Sequence, residues 1–111
     1  RKKPGDRYVH SFIQLVDTHH HQYRTVSYYA QQLHISSGHL NSVVNDFFGI
    51  SPKKYILNRN ILEAKRMLQY TKYTIDQIAD QLHYENTTYF IRVFREHTSM
   101  TPLHFRKQTN P

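Results

Sequence analysis

Apolar residues recur along this chain three and four positions apart, the spacing that gathers them on one face of a helix, and no stretch alternates long enough to make a strand. After Asp6, a good N-cap residue, Val9, Phe12, Ile13 and Val16 form the first such face. A second pattern runs from residue 25 to about 34 with Val26, Tyr29, Ala30 and Leu33 on one side. It breaks at Ile35, Ser36 and Ser37 and resumes with Leu40, Val43, Val44 and Phe47 on the core side. Ser51 and Pro52 supply an N-cap and a first-turn proline for a longer helix, roughly Pro52–Tyr70, striped by Ile56, Leu57, Ile61, Ala64 and Leu68. Thr74 with Gln77 three residues on reads as a capping box, Asn86 or Thr87 caps the helix holding Phe90, Val93 and Phe94, and Thr101-Pro102 opens a short last one. The pattern predicts an all-α fold of about seven helices.

The same pattern is written twice, about fifty residues apart. Thr25, Val26, Ala30, Gln32, Leu33, His34, Leu40, Val43, Val44, Ser51, Pro52 and Tyr55 are answered by Thr74, Ile75, Ala79, Gln81, Leu82, His83, Phe90, Val93, Phe94, Thr101, Pro102 and Phe105. Each copy reads as a helix-turn-helix, with Ala30 and Ala79 as the small residues where the second helix crosses the first closely. The expected organisation is a first unit over residues 1–50, a connector helix over 51–72 and a second unit over 73–111. Two units are too few for a solenoid, so the doubling points to a target that presents two similar features.

The free faces of the two second helices carry the candidate chemistry. In the first copy this face is Ser37, Gly38, Asn41, Ser42 and Asn45; in the second it is Thr87, Thr88, Ile91, Arg92 and Arg95. A helix presented this way fits a DNA major groove, where Asn reads adenine, Arg reads guanine and an apolar side chain meets the thymine methyl. Asn41 and Asn45, Arg92, and Ile91 are the matching candidates. A connector of some eighteen residues at ~1.5 Å each is about 27 Å long, near the ~34 Å between successive major-groove faces.

Charge supports a polyanionic partner, with a formal +7 and a pI near 9.8. It also divides the two readers, because residues 25–52 hold no Lys or Arg and do hold Asp46, which makes the second unit the expected main discriminator. Lys53, Lys54, Arg95 and Arg106 are the expected phosphate contacts, while Lys65, Arg66 and Lys72 are expected to solvate the connector's outer face. No cysteine is present, so neither a disulfide framework nor a thiolate metal site is available. The run His19, His20, His21 points in different directions on a helix and gains no metal partners from sequence; its place at the end of the first helix suits the helix dipole. No nucleophile elbow, phosphate loop or paired carboxylate appears, so no catalytic residue, metal or cofactor is expected. No apolar run approaches the ~20 residues of a membrane span, and the start at Arg1 reads as a piece of a longer chain.

Taken together, Tyr29-Ala30, Leu33, Ser36, Leu40, Gly49-Ile50-Ser51-Pro52, Tyr55-Ile56, Ala64, Leu68, Thr74-Ile75, Ile78-Ala79, Tyr89-Phe90, Phe94-Arg95, Met100-Thr101-Pro102 and Phe105-Arg106 resemble the DNA-binding domain of AraC/XylS-type transcription regulators. The resemblance covers residues 8 to 106. It implies a bacterial, cytoplasmic, sequence-specific factor that binds double-stranded DNA, with Gly38, Asn41, Ser42, Asn45, Thr87, Thr88, Ile91 and Arg92 facing bases. It further implies RNA polymerase as a partner, and dimerisation, where it occurs, through a separate N-terminal domain. His83 stands where the family's second unit usually has a turn glycine, and His34 matches it in the first. A helical protein-interaction module without DNA binding is the alternative that shares the fold.

Overall fold

The computed structural model describes residues 3–109, so Arg1 and Lys2 of the basic lead lie outside it. Its helices are α1 (Asp6–His19), α2 (Val26–Gln32), α3 (Ser37–Phe48), α4 (Pro52–Tyr70), α5 (Ile75–Gln81), α6 (Thr87–Thr98) and α7 (Pro102–Thr109), with no strand among the described residues. The chain forms two compact units, residues 1–59 and 60–111, and the division falls inside α4. The expected connector is therefore shared, its earlier residues packing in the first unit and its later ones in the second.

In the first unit Phe12 and Val16 of α1, Tyr29 and Ala30 of α2, Leu40 and Val44 of α3 and Ile56 of α4 form one buried cluster. The Tyr29 ring meets Phe12 edge-on at 5.7 Å, and its hydroxyl donates to the Tyr23 carbonyl at 2.6 Å, so the phenol is satisfied while buried. Burial pushes the Tyr29 pKa well above its ordinary value and keeps that donor protonated. Two expectations are corrected here. Gly5, not Asp6, is the N-cap of α1, while the Asp6 carboxylate accepts from the Lys3 backbone N–H at 2.9 Å from within the first turn. A Cβ on Gly5 would lie 2.6 Å from Val43 Cγ1, so close packing against α3 selects the glycine. Phe47 is 45% exposed and lies beyond the core edge, against His10 and Phe48.

In the second unit Ile61, Ala64 and Leu68 of α4, Ile78 and Ala79 of α5, and Phe90 and Phe94 of α6 are buried, together with Leu82 and Tyr84 of the turn. Asn60, a polar side chain buried with them, accepts a 2.7 Å hydrogen bond from the Tyr84 hydroxyl. Ring packing continues from Phe90 to Phe94 to Phe105 of α7.

The repeated Gln-Leu-His is a helix terminator. In the first copy the His34 N–H donates to the Gln31 carbonyl and the Ile35 N–H to the Ala30 carbonyl; in the second, His83 donates to Asp80 and Tyr84 to Ala79, all at 3.0–3.1 Å. This is the Schellman pairing, and it needs a left-handed residue after the C-cap. Both histidines take that conformation at φ 57°. The turns then differ: Ile35 alone separates His34 from the next N-cap, Ser36, whereas Tyr84 and Glu85 separate His83 from Asn86. Ser36 and Asn86 cap α3 and α6 by accepting from the His39 and Tyr89 N–H groups, and Thr74 and Gln77 complete the expected capping box on α5.

Helices α3 and α6 also end alike, on Gly49 at φ 74° and Ser99 at φ 69°. A serine in the left-handed region is strained where glycine is not. Ser99→Gly is expected to raise stability by about 0.5–1 kcal/mol in urea unfolding, and an unshifted midpoint would show that the serine carries no strain.

Candidate nucleic-acid interface

Each unit presents its second helix with one face open. Gly38, Asn41, Ser42 and Asn45 of α3 are all exposed, and so is Asp46 beside them. A Cβ on Gly38 would meet only Ser36 Oγ, at 4.0 Å, so internal packing does not demand a glycine there. What the glycine offers is close approach from outside.

On α6, Thr88 and Arg92 are exposed and Ile91 and Thr87 half-buried. Thr87 Oγ1 donates to Asp76 Oδ1 at 2.7 Å, which ties the start of α6 to the first turn of α5. Asp76 escaped the sequence analysis because a carboxylate in a first turn is sufficiently explained by the helix dipole. The Arg92 guanidinium carbon lies 5.2 Å from the centre of the Tyr89 ring, within cation–π range. These two residues, with Glu85, Asn86 and Thr88, line an open depression of about 320 Å³ at the start of the helix.

The cations separate into those held by the protein and those directed outward. Arg59 Nε is 2.7 Å from Asp17 Oδ1, Arg66 grips Glu63 through contacts of 2.6–3.2 Å, and Lys65 Nζ lies 5.9 Å from the Phe105 ring centre. Lys53 and Lys54 in the first turn of α4, and Arg95 on α6, are exposed. Arg106, an expected phosphate contact, is turned inward: its Nε donates to the Leu68 carbonyl at 2.9 Å and its terminal nitrogen reaches the Met67 and Thr71 carbonyls at 3.4 Å each. Its cation thus lies at the C-terminal end of α4, where positive charge is favoured.

The histidine run is taken up by packing. His20 is buried at the C-cap of α1, and His19 meets Tyr23 and Tyr28 edge-on, these two stacking at 3.9 Å. Among the described residues no group of three or more His, Asp or Glu is placed to hold a metal ion.

A family model described as a helix-turn-helix domain matches residues 29–108, from within α2 into α7. The chain belongs to the AraC-type helix-turn-helix family. The uncharacterized HTH-type transcriptional regulator YtdP of Bacillus subtilis is 32% identical over 92 residues, which make up 80% of this chain and 12% of YtdP. This chain thus spans about an eighth of that regulator's length. The C-terminal domain of the two-component response regulator yesN from Fusobacterium nucleatum has the same fold at a TM-score of 0.82 and 27% identity, covering 90% of this chain and 98% of that one. The DNA-binding domain of AdpA, a global transcriptional factor solved in complex with a target DNA, matches at a TM-score of 0.81 over 90% of each chain; at 18% identity that likeness is one of fold. The AraC-type domain is the DNA-binding module of transcription regulators, and the two open helices described above are its second helices. No helix among the described residues is long and apolar enough to cross a membrane.

Proposed function

We propose that this AraC-type domain reads a specific double-stranded sequence by placing α3 and α6 in successive major-groove segments. The observation that carries the reading is the repeat itself: two Schellman turns on matched histidines, each followed by a capped helix with an exposed polar face. Between them α4 runs for 19 residues, about 28 Å at ~1.5 Å per residue, against the ~34 Å helical repeat of DNA.

In this reading Arg92 pairs with a guanine edge, Ile91 meets a thymine methyl, and Asn41 and Asn45 read adenines. Gly38 lets the backbone of α3 approach, and Ser42 and Thr88 add hydroxyl contacts. Thr87 shares its hydroxyl with Asp76 and serves mainly to hold α6 in place. Lys53, Lys54 and Arg95 neutralise phosphates. The second reader discriminates more strongly, because α3 carries no cation and has Asp46 on its surface. The domain acts by binding and carries no catalytic activity. It works in the cytoplasm within a longer regulator, where contact with RNA polymerase and any pairing of copies would take place.

The test is binding to labelled duplexes of about 20 base pairs from upstream regions of its own locus, across a salt series and against scrambled competitor. Tight binding to one duplex, weakening steeply with salt, is expected. Equal, weak binding to every duplex, unchanged when two copies are joined by a dimerising tag, would favour the protein-interaction module. Arg92→Ala is expected to lose about 1–3 kcal/mol of discrimination at one base pair, and a uniform loss across sequences would make Arg92 a phosphate contact.

A further inference from the structure

The start of α6 holds a stack that no base-reading assignment has used. Asn60 is fully buried and accepts from the Tyr84 hydroxyl at 2.7 Å. The Tyr84 ring lies 5.9 Å from Tyr89 and 5.1 Å from Phe90, and the Tyr89 ring lies under the Arg92 guanidinium at 5.2 Å. Tyr89 is 39% exposed, and its backbone N–H is held by Asn86 Oδ1 at 2.7 Å. A chain of contacts therefore runs from a buried amide to a surface arginine.

An arginine side chain on a helix surface samples many rotamers, and ordering it on binding opposes affinity. A guanidinium already laid on an aromatic face has lost part of that freedom beforehand and keeps its fork of donors in one plane. The first unit has no equivalent: the matched positions are His39, which turns to Tyr8 of α1 at 5.4 Å, and Ser42. We infer that Tyr89 is a positioning residue for Arg92, pre-setting the guanidinium for base reading and concentrating sequence discrimination in the second unit. This rests on the reading of Arg92 as a base contact.

The experiment measures binding of the wild-type domain, Arg92→Ala, Tyr89→Phe, Tyr89→Leu, Tyr89→Gln and the Tyr89→Leu/Arg92→Ala double variant. Each is assayed on the selected duplex and on duplexes changed one base pair at a time, with thermal melting as the control for folding. Arg92→Ala identifies the base pair that the arginine reads. Tyr89→Leu and Tyr89→Gln are expected to weaken preference at that same pair by about two- to fivefold, and Tyr89→Phe, which keeps the ring, to preserve it. In the Arg92→Ala background Tyr89→Leu is expected to change nothing further. If Arg92→Ala alters preference at no single pair, the base-reading assignment fails and the inference with it. If Arg92→Ala is position-specific but both ring-removing variants leave the preference intact, or their loss persists without Arg92, the inference alone is overturned. A uniform loss with Tyr89→Phe would also overturn it, by making the hydroxyl a direct phosphate contact.

Discussion

Arg106→Ala is expected to lower stability by about 2–3 kcal/mol while leaving the salt dependence of DNA binding unchanged. The side chain is half-buried, and its guanidinium reaches three carbonyls at the end of α4 from a helix more than thirty residues later in the chain. Removing it takes the guanidinium donor from the Leu68 and Thr71 carbonyls, while the Met67 carbonyl keeps the Thr71 N–H, at the end of a helix where a cation is favoured. Arg106→Lys should restore only part of the loss, because a single ammonium cannot span what the planar fork spans. Urea unfolding measures the first effect. The slope of log affinity against log salt measures the second, and a fall of about 0.9 in that slope would return Arg106 to the phosphate contacts.

Ala79→Leu is expected to destabilise the domain by about 3 kcal/mol. Ala79 is 2% exposed on α5, and its carbonyl accepts from the Tyr84 N–H, so the residue sits both in the helix crossing and in the Schellman turn. Three added carbons have no room there and must displace α6 or force strained rotamers. An unchanged unfolding midpoint would mean that the two helices are not in close contact at Ala79. The matched Ala30, also 2% exposed, sits at the same place in the first turn.

What the sequence made legible is what is encoded locally. Helix positions follow from the 3.6-residue period, and several starts from Ser51, Thr74, Asn86 and Thr101, whose side chains accept from N–H groups three residues on. The open faces of α3 and α6 were readable for the same reason. What was not legible depends on contacts between distant segments. Gly5 could not be recognised as a cap without Val43 beside it, and the helical stripe ran on to Phe47 because periodicity does not mark where a core ends. Arg106 looked like a surface cation until the end of α4 was seen within its reach. Tyr89 fell between an expected core position and an expected reader, and only the placement of Tyr84 and Arg92 gives it a task.

The extra residue in the second turn makes the two units poor spare parts for one another. A designer who aligned the copies on Gln-Leu-His and transplanted the first recognition sequence onto the second scaffold would shift it by one position. One position on an α-helix is about 100° of rotation, so Asn41 and Asn45 would swing away from the open face and the buried Leu40 toward it. Exchanging specificities between the halves requires alignment on Ser36 and Asn86, the caps from which each helix begins its count.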